Sequence, residues 1–178
     1  AYWFSSKPLK TPNDLKTMKI FTWAGDFKWE RLWEKAGYNP VPLASVDILS
    51  GLQTGLINSF STIPLYALSQ QSFGIANHML DLKWGVLMAG IVIDKRAWNK
   101  ISKKYHEGLV NVVKSIQDKQ KSLNRNAEQE SIKAMQEYGL KVHSLNENDM
   151  NLWRNEVQKM APELRGNIIP EQIYDKVI

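Results

Sequence analysis

The sequence predicts an α/β fold with a mixed β-sheet, and three observations carry that expectation. Short strand-like runs alternate with amphipathic helical runs from Tyr2 to Gln70. The run Trp84 to Ile93 is apolar and rich in branched residues, as in a strand buried on both faces. A helical pattern without proline then extends from about Ile101 to Tyr138, longer than one small lobe needs.

Tyr2 to Ser5 reads as a strand, broken by Ser6-Lys7-Pro8. Thr11 is a suitable N-cap and Pro12 suits the first helical position, so a short helical turn follows. Lys19 to Thr22 is a short strand. From Asp26 to Ala36, Phe27, Leu32, Trp33 and Ala36 recur at helical spacing, and Gly37 stops the helix. Asn39 to Leu43 is extended, because proline and the residue before it favour β geometry. Ser45 caps a helix expected to turn Val46, Leu49 and Leu52 inward and to end at Gly55. Ile57 to Phe60 is a strand, and Pro64 to Gln70 a helix.

In the long pattern, Leu109, Val112, Val113, Ile116, Leu123, Ala127, Ile132 and Met135 recur at three and four, and Gly139 closes it. About 35 residues at 1.5 Å each span roughly 50 Å, as wide as a whole domain, so this helix is expected to bridge two lobes. Leu140 to Ser144 is a short strand. Asn146 to Met160 is a helix capped by Asn146 or Asn148, and Pro162 to Ile178 one further helix.

The 178 residues, 43% of them hydrophobic, suffice for one good core or two small lobes. A net charge of +5 is mild, and the densest basic groups, Lys100 with Lys103 and Lys104 and Lys119 with Lys121, read as solvated helix faces. Nucleic acid is therefore not an expected partner. Without cysteine there are no disulfides, no thiolate metal ligands and no thiol catalysis. No run of about 18 apolar residues exists, so no membrane insertion is expected. No signal peptide is visible, and the chain opens on Ala1-Tyr2-Trp3-Phe4 as a mature or truncated chain would.

Catalytic chemistry finds no residues to rest on. His78, His106 and His143 fall in separate elements, none with a metal-ligand partner at i+2 to i+4. Glu128 with Glu130, and Glu147 with Asp149, suit solvated or capping positions better than an acid–base pair. No phosphate-cradling glycine loop or nucleophile elbow occurs. The expectation is a protein that is not an enzyme and that needs no cofactor and no metal.

A binding cleft does have candidates. In open α/β folds ligands sit at the carboxyl ends of strands. Those ends carry Phe21, Thr22 and Trp23 after one strand and Ser61 and Thr62 after another, while Trp84 opens the apolar run. Aromatic faces with a few hydroxyls suit a small amphipathic solute. Phe21 and Trp23 could equally be core.

The order of these pieces resembles a known family. Asp14-Leu15 with Lys19-Ile20, then Gly-Tyr-Asn-Pro-Val-Pro-Leu from Gly37 to Leu43, then Leu52-Gln-Thr-Gly55 and Pro64, then Ile91-Val-Ile-Asp-Lys-Arg-Ala-Trp98 and the long helix, are similar to the later portion of solute-binding proteins of tripartite ATP-independent periplasmic (TRAP) transporters. The resemblance implies a two-lobe, type II-like periplasmic-binding-protein fold with mixed sheets, its N-terminal lobe largely absent here. Residues 1–83 and 128–178 would form the second lobe, and 84–127 would belong to the first. It also implies an extracytoplasmic protein that closes around a small organic solute and delivers it to the TRAP-type membrane permease subunits.

Two positions depart from the family pattern. Lys19-Ile20 would be followed by an arginine that clamps a ligand carboxylate, and Phe21 stands there instead. The family's usual asparagine shortly before Pro64 is replaced by Ser61, Thr62 and Ile63. Both departures imply a solute less acidic or more hydrophobic than the family norm, stacked on Phe21, Trp23 or Trp84; a carboxylate would need Lys19 or the missing lobe. Two other readings of the same fold are the ligand-sensing domain of a transcription regulator and an enzyme.

Overall fold

A six-stranded sheet in the order β3-β2-β4-β1-β5-β6 organises the chain, seen in a computed structural model that describes residues 1–88 and 90–177. The strands are β1 (Tyr2–Ser5), β2 (Lys19–Trp23), β3 (Asn39–Leu43), β4 (Ser59–Thr62), β5 (His78–Leu80) and β6 (Lys141–His143). β2 runs parallel to β3 and β4, and β5 parallel to β6. β1 alone runs antiparallel, to both β4 and β5. The sheet is therefore mixed, as the alternation of elements implies.

The helices are α1 (Pro12–Lys16), α2 (Phe27–Lys35), α3 (Ile48–Gln53), α4 (Pro64–Ser69), α5 (Lys95–Lys100), α6 (His106–Glu137), α7 (Glu147–Leu164) and α8 (Glu171–Val177). Local chemistry sets several ends. Thr11 and Asp14 form a reciprocal capping box at α1, and Asn146 and Asp149 do the same at α7. Gly37, at φ +85°, takes the left-handed turn that ends α2.

Strand side chains alternate between two covered faces. Tyr2, Phe4, Phe21, Phe60 and Met79 pack on one side with Ile48 and Leu52 of α3, Ala67 of α4 and Met135 of α6. Trp3, Ile20 and Leu80 pack on the other with Leu15 of α1, Leu32 and Trp33 of α2, and Trp153 and Met160 of α7. Phe4 stacks on Phe60 at 5.5 Å. Trp153 is tied by its indole N–H, which donates to the Lys10 carbonyl at 2.7 Å.

The structure corrects the sequence reading in several places. The turn at Ser45–Asp47 is 3₁₀, with three residues per turn. That changes the helical register, so Ile48 and Leu52 are buried while Val46 is 83% exposed. The strand read at Ile57 to Phe60 lies two residues later, because the Ile57 N–H still bonds the Gly51 carbonyl at 3.1 Å. A side chain at Gly51 would lie 3.0 Å from Leu43 Cδ1 and 3.1 Å from Ile57 Cγ1, so glycine lets α3 approach β3. α7 runs through Pro162 to Leu164, and the tail helix is only Glu171–Val177. Ile178, placed in that helix by the sequence, lies outside the described residues.

The largest correction concerns Trp84 to Ile93. Its described residues form no strand. Val86, Met88 and Val92 are 85%, 87% and 92% exposed. An apolar run states that burial is favourable, but a strand also needs a neighbour for its backbone groups, and none lies beside this one among the described residues.

Candidate functional site

The carboxyl ends of β2 and β4 open onto a cleft of about 480 Å³. β1 contributes through its first residues, because its antiparallel register sets Trp3 opposite Ser61. The pairing of Ile20 with Ser59 brings Thr22, two residues on, level with Ser61. Trp3, Ser61 and Thr22 thus stand in one row across the sheet, facing the same way. Phe21, Thr22, Trp23, Ser61, Thr62 and Trp84, the six residues singled out from sequence, all line this cleft.

Their environments differ. Phe21 is 6% exposed and belongs to the core as well as to the cleft wall; Trp23 stands edge-on to it at 5.2 Å and is 53% exposed. Trp84 sits in irregular chain, not in a strand. Its backbone N–H donates to the Ala1 carbonyl at 3.1 Å, and its ring packs 5.3 Å from Trp153 and 6.0 Å from Trp3 and Trp33. Lys19 lies at the far end of β2, donating to the Gly55 carbonyl at 3.1 Å, and does not line the cleft.

The structure adds Trp3, Asp26, Trp29 and Trp33 to the lining. Trp29 and Trp33 are spaced by four residues on α2, a signal readable in the sequence. Trp3 carried none, since nothing in the sequence says that β1 inserts antiparallel beside β4. Trp3 Nε1 and Thr22 Oγ1 are buried without a hydrogen-bond partner. Among the described residues no lysine or arginine side chain lines the cleft. Ala1 and Gly85 also line it.

Titratable groups elsewhere have structural explanations. Burial would raise Glu128, but bonds from Tyr2 (2.9 Å) and Lys83 (3.1 Å) outweigh it and hold the carboxylate low. Glu156, 7% exposed, pairs with Lys16 at 2.6 Å and accepts from the Tyr38 hydroxyl at 3.2 Å, whose pKa is raised by burial and by that carboxylate. His78 and His143, remote in sequence, meet across β5 and β6 with Nδ1 and Nε2 2.7 Å apart. Among the described residues no three His, Cys, Asp or Glu side chains could hold a metal, and no helix is long and apolar enough to cross a membrane. The cleft offers shape, aromatic surface and neutral hydroxyls, which suit binding.

Comparison with known proteins agrees. Residues 2–166 match the family model described as bacterial extracellular solute-binding protein, family 7. The chain is 27% identical over 141 residues to the 2,3-diketo-L-gulonate-binding periplasmic protein YiaO of Escherichia coli strain K12, covering 78% of this chain and 42% of that protein. It shares the fold of a TRAP periplasmic solute-binding protein from Shewanella oneidensis with bound succinate, at TM-score 0.87 and 16% identity, covering 98% of this chain and 57% of that one. It likewise shares the fold of the periplasmic ectoine-binding protein of the TeaABC TRAP transporter of Halomonas elongata, at TM-score 0.81 and 16% identity, over the same 98% and 57%. The chain thus spans about half the length of the proteins it matches. The resemblance, which covers nearly the whole chain from about Ser5 to Trp153, is borne out, and neither a regulator nor an enzyme is favoured. The chain belongs to family 7 of the bacterial extracellular solute-binding proteins, extracytoplasmic proteins that bind solutes and are not enzymes.

Proposed function

We propose that this chain supplies one wall of a two-lobe cleft that captures a small organic solute and delivers it to a TRAP-type membrane permease. In this reading residues 1–83 and 128–178 form the second lobe. Residues 84–127 belong to the first, which would cover the exposed apolar run and the N-terminal half of α6. The observation that carries the proposal is the convergence of Phe21, Thr22, Trp23, Ser61, Thr62 and Trp84 on one cleft at the strand ends.

The solute is less acidic or more hydrophobic than the family norm. Two of the relatives are named for acids, 2,3-diketo-L-gulonate and succinate, and one for ectoine. A buried carboxylate requires a paired cation or several donors. Here Phe21 stands where a clamping arginine is expected, and Lys19 points elsewhere.

Calorimetric titration of the full-length gene product with succinate, galacturonate and their methyl esters tests this, with X-ray scattering to follow lobe closure. Esters or other neutral solutes are expected to bind at least as well as the acids and to compact the protein. Tight binding of the acids that is lost on esterification overturns the solute class. Absence of any solute-driven compaction overturns the two-lobe reading.

A further inference from the structure

The charge balance of the cleft points further than the missing arginine does. Asp26 is the one charged side chain among the described lining residues. It stands at the N-terminal end of α2 without capping it, and among the described residues no hydrogen bond or ion pair engages its carboxylate. Trp23 and Trp29 flank it in sequence and line the same cleft, 53% and 36% exposed. Phe21, Trp33 and Trp84 continue the aromatic lining inward.

An indole face is the negative pole of a ring quadrupole and attracts a cation, most of all one whose charge is spread over alkyl groups and weakly hydrated. An unpartnered carboxylate among such faces adds attraction of the same sign. The same groups repel an anion, and among the described lining residues no lysine or arginine side chain reverses that sign. Exposed tryptophan surface at a cleft mouth is unfavourable in water unless a partner covers it.

Resting on the reading of this cleft as a solute site, we propose that its aromatic wall receives an alkylated ammonium group, with Trp23, Trp29 and Asp26 as the residues that select positive charge. The solute is then an organic cation or a zwitterion presenting its cationic end to this lobe. The inner hydroxyls of Ser61 and Thr62 are left to meet an oxygen on the same molecule.

The test is titration calorimetry on the full-length gene product with choline, tetramethylammonium, the uncharged choline isostere 3,3-dimethylbutan-1-ol, and succinate. Choline or tetramethylammonium is expected to bind about tenfold or more tightly than the isostere. Asp26→Asn is expected to weaken the cation roughly 3- to 30-fold and leave the isostere and the melting temperature unchanged, since no protein group depends on that carboxylate. Trp23→Leu is expected to weaken the cation similarly. Equal or tighter binding of the isostere, or no effect of Asp26→Asn on the cation, overturns the proposal. No alkylammonium binding up to about 10 mM also overturns it, in the range where single weak contacts fade. Succinate binding with lobe closure in that case leaves the solute-binding reading standing; no binding by any of the four sinks both.

Discussion

The two ends of α6 carry the same apolar period and live in different surroundings. Near its C-terminus Met135 is 0% exposed and Ile132 half-buried, both packed in the core with Ala67 of α4. Near its N-terminus Leu109, Val113 and Ile116 are 40%, 39% and 44% exposed. With Ile91, Ile93, Trp98 and Ile101, Leu109 and Val113 line an apolar groove of about 620 Å³. The difference teaches that hydrophobic spacing records a demand for burial, whereas a covering layer is supplied from elsewhere in the fold.

The largest expected effect breaks the comparison at its strong end. Phe60→Ala removes a fully buried ring stacked on Phe4 and should destabilise the chain by about 3–5 kcal/mol in urea denaturation. Val113→Ala in the 178-residue chain should change stability by no more than about 0.5 kcal/mol. The same substitution in the full-length gene product should cost about 1 kcal/mol or more if the first lobe covers that face. Equal, small costs in both contexts would mean that nothing covers it.

Next in size is Lys16→Ala, which strands the Glu156 carboxylate with only the Tyr38 hydroxyl. A loss of about 1–3 kcal/mol is expected, with Lys16 itself partly solvated. Glu156→Gln in the same background should recover part of it, and failure to do so would show that the charge is not what matters.

Thr11→Ala removes one half of the α1 capping box and should cost about 1 kcal/mol, measured by thermal melting.

The smallest effect is a pH dependence confined to the sheet. Burial lowers the pKa of His78, reinforced by His143 and Lys141; burial also lowers that of His143, reinforced by Lys10 and Lys141. The folded state thus binds protons less readily than the unfolded one. Stability is full above the ordinary histidine value of 6.5 and declines as pH falls through it toward the depressed folded values. Melting temperatures between about pH 8 and pH 5 should show this decline. His143→Gln should flatten it, while the helicity of α6 near Leu109 should not follow it.

Much of the fold was legible in local chemistry. Thr11, Asn146, Gly37 and Gly139 mark helix ends because capping and left-handed turns involve only a few neighbouring residues. The cleft residues on β2 and β4 were legible because strand ends are local too. Illegible were contacts set by strand order. Trp3 reaches the cleft only because β1 inserts antiparallel between β4 and β5, and His78 meets His143 only because β5 and β6 are neighbours. The run Trp84 to Ile93 misled because its composition speaks of burial and not of pairing.

By itself, the sequence determined most of the strands and helices, though not β5, α5 or the irregular run after Trp84, that no cysteine chemistry is possible, and that an aromatic residue, Phe21, follows Lys19-Ile20. Only the tertiary structure decided that five tryptophans, Asp26 and the strand-end hydroxyls share one cleft that, among the described residues, no lysine or arginine side chain lines. Local propensities act over a few residues, whereas the sign and shape of a site are sums over elements brought together from far apart in the chain.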